Sequence, residues 1–146
     1  MAGKSNFFIY TPLMVLLITF NQLAQVIGRL YPKSAADSIY GPVINSAAVN
    51  TSDLQMMTLK TQTYIMFSLV NGSLIISDNK RNSLFPSSFA IPGNQVFSVF
   101  SVSIVQELMT KGGSSATMIE HRQNVLTLTN GDFTLEMGQL CPPFCF

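Results

Sequence analysis

The rhythm of apolar and polar positions changes along this chain. Residues 5–28 contain no charged side chain, and their centre reads "FFIYTPLMVLLITF", residues 7–20. A bilayer span needs about 20 apolar residues, and Leu23, Ala24, Val26 and Ile27 extend the run far enough. The pattern predicts an apolar N-terminal helix over residues 1–31, spanning a membrane or packed in an assembly. Pro12 falls near its start, where a missing N–H does least harm. Asn21, Gln25 and Arg29 recur at i, i+4 and i+8 and would form one polar stripe on the last turns. Uncharged amides in lipid hydrogen-bond to neighbouring helices, so the stripe is a candidate helix-partner contact. Its alternative reading is the point where the helix leaves the bilayer, with Tyr31, Arg29 and Lys33 at the interface.

Two other readings fit the same segment. A secretory signal would use Lys4 as its basic flank, but "NQLAQVIG" offers a poor small-x-small cleavage site. A buried core helix is the second, because apolar runs of this length also occur in cores. Positive charge does not settle orientation: Lys4 and the amino terminus stand on one side, Arg29 and Lys33 on the other.

Residues 32–53 are rich in small and turn-forming residues without a sustained period, and are read as a linker or extended arm. From residue 54 to 146 the period is two, which predicts a β domain. In "TYIMFSLVNGSLIIS", residues 63–77, Asn71-Gly72 separates two apolar runs, the strongest short-range hairpin signal. A two-residue turn there pairs Leu69 with Leu74 and Phe67 with Ile76. A second hairpin is expected in "NVLTLTNGDFTLEM", residues 124–137, where an Asn130-Gly131 turn pairs Leu128 with Phe133 and Leu126 with Leu135, leaving Thr127 and Thr134 on the other face. "VFSVFSVSIV", residues 96–105, reads as a buried strand, "QELMT" as its continuation or a helical turn, and "TMIEH", residues 117–121, as a weaker strand. The expected fold class is α+β: an apolar helix followed by five to seven mainly antiparallel strands in a meander or small sandwich.

Composition sharpens this. Hydrophobic residues make up 47% of the 146 and charged ones 10%, against about 25% charged in typical soluble domains. A charge-poor surface suits contact with lipid or other subunits. The net charge of +1 and the lack of basic clusters leave no footprint for nucleic acid.

Candidate chemistry is sparse. The single histidine, His121, sits between Glu120 and Arg122 on a strand, where sequence neighbours face opposite ways, so the trio reads as a solvated charge cluster. No nucleophile elbow or phosphate loop is present. Two cysteines and one histidine cannot complete a four-ligand zinc site. No enzyme, cofactor, metal or small-molecule substrate is therefore expected. Asn50-Thr51-Ser52 and Asn71-Gly72-Ser73 match the glycosylation pattern at about the frequency chance supplies.

The chain ends "CPPFCF", which holds both cysteines. Pro142 and Pro143 restrict the intervening backbone, so a local Cys141–Cys145 disulfide is expected, fixing the last turn for Phe144 and Phe146 to pack. So short a ring adds little by cross-linking. Its presence would place the β domain in an oxidising compartment, periplasmic or extracellular. The functional expectation is a non-catalytic structural or accessory subunit of a membrane-associated or extracellular assembly, partnered by lipid, other subunits or both as a homo- or hetero-oligomer. The alternatives are a pilin-like filament or virion subunit, and a secreted binding protein with a cleaved signal.

Overall fold

The computed structural model describes residues 25–142. The apolar segment through residue 24, with Asn21, and the last four residues, with Cys145, lie outside the described residues.

Two five-stranded sheets, antiparallel in every pairing, carry the fold. The first, sheet A, runs β1 (Arg29–Pro32), β9 (Phe133–Glu136), β8 (Leu126–Asn130), β7 (Ala116–His121), β2 (Asn45–Asn50). The second, sheet B, runs β10 (Gln139–Cys141), β6 (Phe97–Ser101), β3 (Tyr64–Val70), β4 (Ser73–Asp78), β5 (Ser83–Phe85). Three helices complete it: α1 (Lys33–Tyr40), α2 (Thr51–Thr58) and α3 (Val102–Gly112). The α+β class with a mainly antiparallel sheet domain holds, and the two-sheet layout is compatible with a sandwich. Residues 32–53, expected as a linker or extended arm, hold the end of β1, α1, β2 and the start of α2. Their small residues suit a thin edge strand, and the Asn50 side chain caps α2 by accepting the Ser52 N–H at 3.1 Å.

The β3–β4 hairpin has the expected register, Leu69 opposite Leu74 and Phe67 opposite Ile76. Asn71 and Gly72 both take positive φ, 51° and 79°, the pattern of a type I′ turn. The second hairpin departs from expectation. Leu128 faces Leu135 rather than Phe133, Thr129 faces Thr134 and Asn130, expected in the turn, pairs with Phe133, so the turn residues are Gly131-Asp132. Only Gly131 of that pair has positive φ, 54°, as in a type II′ turn.

The run 96–105 is a strand only as far as Ser101, after which α3 begins. Val102, Val105, Leu108 and Met109 are its buried positions, spaced at the helical period despite a β-branched composition. Gly113 ends the helix in the left-handed region, φ 65°, with its N–H on the Met109 carbonyl at 3.1 Å. One core joins the inner faces of both sheets to α2 and α3: Ile65, Phe67, Ile76 and Phe100 from sheet B, Ile119, Leu128 and Leu135 from sheet A, with Leu54 and Leu108. Phe67 and Phe100 meet edge to face at 6.0 Å.

Candidate functional site

Alternation on sheet B sends Tyr64 and Met66 of β3, Phe97 and Val99 of β6 and Cys141 of β10 to the face away from that core. These residues form a second apolar cluster, and Ile27 joins it. The joint is hydrogen-bonded: the Ile27 N–H donates to Ser101 Oγ at 2.7 Å, and the Ser101 N–H donates to the Ile27 carbonyl at 2.9 Å. Tyr64 Oη donates to the Gln25 carbonyl at 3.3 Å. Both ends of the described chain therefore sit on the outer face of sheet B. Cys141 is fully buried there and disulfide-bonded; Cys145, its expected partner, lies outside the described residues.

From this face the chain crosses to sheet A at Gly28 and returns at Gly138. Gly28 has φ 113°, and an added Cβ would stand 2.9 Å from Leu135 Cδ1. A Cβ at Gly138 would stand 2.7 Å from Phe100 Cζ. Both crossings press on the core where a side chain has no room. They also overturn the helical geometry expected at residues 25–31. Gln25 is exposed in an irregular segment, while Arg29 opens β1 opposite Glu136, its guanidinium 5.4 Å from the Tyr31 ring centroid. A glycine at positive φ breaks the i, i+4 spacing on which a Gln25–Arg29 stripe depends.

The outer face of sheet A is polar yet closed. Glu120 lies opposite Thr127, Thr129 opposite Thr134, and Thr134 opposite Tyr31. Arg122 is 0% exposed. Its Nη2 donates to Glu120 Oε2 at 3.0 Å, Nη1 to Asp37 Oδ1 at 2.8 Å and to the Gly41 carbonyl at 2.7 Å, and Nε to Thr127 Oγ1 at 3.2 Å. Thr129 donates to the same Glu120 oxygen at 2.8 Å. Asp37 comes from α1, so the guanidinium fastens that helix over the sheet. Its hydrogen bond with Arg122 is the main cause holding the Asp37 carboxyl below the usual carboxylate range. Burial works to lower the Arg122 pKa, but bonding to Asp37 and Glu120 outweighs it and the net shift is upward. Burial, then hydrogen bonding to Glu136 and Tyr31, pushes the Tyr40 phenol well above its ordinary value. With Arg122 and Glu120 buried, every partner charged or bonded, and Asp37 closing the cluster from its solvent side, its chemistry is that of a clamp.

The solvated cluster expected around His121 is thus corrected: Glu120 and Arg122 are buried partners, and His121 is exposed on the opposite face. The missed signal was parity. Residues 120 and 122 share a face with Thr127, Thr129 and Thr134, a β-branched polar layer suited to burial. His121 instead borders a cleft of about 370 Å³, alongside Leu69, Val96, Leu126 and Leu140. Among the described residues no group of three or more His, Cys, Asp or Glu side chains is placed to hold a metal, and no helix is long and apolar enough to cross a membrane. Comparison with protein-family models, characterised proteins and solved structures finds no match.

Proposed function

We propose that this chain is a non-catalytic structural or accessory subunit of a membrane-associated or extracellular assembly. Its apolar N-terminal segment holds it to lipid or to other subunits, and its β domain, a small sandwich, stands on the periplasmic or extracellular side. The observation that carries the reading is the common exit face: Gln25 and Ile27, which follow directly on the apolar segment, are stitched to the same sheet face that buries Cys141. An anchor attached through one backbone bond and one side-chain bond to Ser101 and a buried isoleucine transmits load to a sheet rather than to a loose tether. The disulfide at Cys141 supports the compartment.

The pilin-like or virion alternative has its own support in β2. This edge strand of sheet A alternates exposed Ser46, Ala48 and Asn50 along an edge that no other described strand covers and that a second copy can extend.

The test is Leu17→Lys in the full chain. A charge near mid-bilayer costs roughly 3 kcal/mol, so the variant should leave the pelleted membrane or assembly fraction while keeping a β-rich circular dichroism spectrum. A variant that stays attached and folded contradicts the proposal. Unfolding in place would select the core-helix reading. For the wild type, extraction by detergent separates lipid from filament attachment.

A further inference from the structure

We propose that Asn71 is an N-glycosylation site and that Asn50, which matches the same sequence pattern, is not. The inference rests on the β domain lying on the extracellular side, and it goes further by naming a modification and its position.

The two motifs differ in what the fold does with them. Asn50 caps α2: its Oδ1 accepts from the Ser52 N–H at 3.1 Å and from Ser52 Oγ at 2.8 Å. Both the asparagine oxygen and the hydroxyl two residues on are engaged. The next residue, Thr51, is bonded to Thr117 at 2.9 Å and to Asn130 at 3.0 Å. Asn71 occupies the tip of the β3–β4 hairpin, and Asn71, Gly72 and Ser73 are all exposed. Its side chain makes no hydrogen bond to another described residue. A Cβ placed on Gly72 would meet nothing within 4 Å, so the space around the tip is open enough for a sugar chain. β3 is 7 residues long, which at ~3.3 Å per residue puts the tip roughly 20 Å from Tyr64, whose hydroxyl bonds the Gln25 carbonyl. A glycan there stands at the opposite end of β3 from Tyr64 and beside Val70, which is 54% exposed.

The step is a group transfer from a lipid-diphosphate-linked oligosaccharide. Asn71 Nδ2 attacks the anomeric carbon, the bond from that carbon to the phosphate oxygen breaks, and the lipid diphosphate leaves. The new carbon–nitrogen bond forms as Nδ2 gives up one proton. The motif hydroxyl, Ser73 Oγ, is the group a transferase reads, and here it has no hydrogen-bond partner among the described residues.

The test is synthesis of the full chain with eukaryotic microsomes, followed by N-glycosidase digestion and, separately, protease challenge of sealed vesicles. One glycan-sized mobility step is expected, removed by the glycosidase, lost in Asn71→Gln and in Ser73→Ala, kept in Ser73→Thr and unchanged in Asn50→Gln. Ser73→Ala guards against a turn defect in Asn71→Gln, because it leaves the positive-φ residues alone. A β domain protected from protease but carrying no glycan overturns the site and leaves the proposed location standing. A domain open to protease overturns both, and loss of the step in Asn50→Gln overturns the assignment to Asn71.

Discussion

The two Asn-Gly hairpins form an internal control on what a local signal can do. At Asn71-Gly72 no described residue beyond the turn claims the asparagine, and it adopts φ 51° at the tip as local preference dictates. At Asn130-Gly131 the same dipeptide is drawn inward. Asn130 is fully buried; its Nδ2 donates to Thr117 Oγ1 at 2.9 Å and Thr51 Oγ1 at 3.0 Å, and its Oδ1 accepts the Ser114 N–H at 2.8 Å. Those bonds tie β8 to β7, to the start of α2 and to the loop after α3. Keeping Asn130 in the strand moves the turn one residue on, to Gly131-Asp132. Tertiary satisfaction of one amide outweighs the roughly 1 kcal/mol at stake in turn preference.

The sharpest way to break this contrast is Gly112→Ala. A Cβ there would lie 2.3 Å from the Asn130 carbonyl oxygen, so α3 and the β8–β9 hairpin must separate. A loss of about 3 kcal/mol in urea unfolding is expected, whereas Gly72→Ala, in open space, should cost only its positive-φ strain of about 1 kcal/mol. Next is Asn130→Ala, which leaves the Ser114 N–H without its acceptor and takes the amide donor from Thr51 and Thr117, which keep only their bond to each other. It should cost about 2–3 kcal/mol and speed amide exchange in β8 and β9 but not in β3 and β4. Asn71→Ala should cost about 1 kcal/mol through φ alone, and Asn71→Gly close to nothing. Equal losses at Asn71 and Asn130 would contradict the account.

The smallest effect concerns the clamp beside the second hairpin. Asp37 has a lowered pKa in the folded chain, so its contribution is present above the unfolded carboxylate value of about 3.9 and fades as pH falls through the folded value. Because the Asp37 side chain is 43% exposed, Asp37→Asn should cost no more than about 1 kcal/mol at neutral pH. The gap to wild type should then close on acidification, as followed by thermal unfolding between pH 6 and about pH 2.

What the residues disclosed in advance divides along the same line. The first hairpin, β7 and the β6 core were legible because their pattern is set by local turn chemistry and a period of two. The second turn, the switch to α3 at Val102 and the Arg122 clamp were not, because each is decided by partners far away in sequence: Thr51 for Asn130, Ile27 for Ser101, Asp37 for Arg122. β1, β2, β5 and β10 are strands of three to six residues that exist by pairing rather than by propensity. At the exit face, the cysteines flagged the place, while the bonds from Ile27 to Ser101 had no signal in either segment alone.

The central claim is that residues 7–20 stay with the β domain and hold it in place. Its most direct test is peptide mass spectrometry of the native protein, recovered from the membrane or assembly fraction and digested with trypsin. The account predicts recovery of the apolar peptide, residues 5–29, in step with peptides of the β domain. Absence of that peptide, with a mature chain shortened by the first 24 residues or so, would contradict it and make the protein a secreted one.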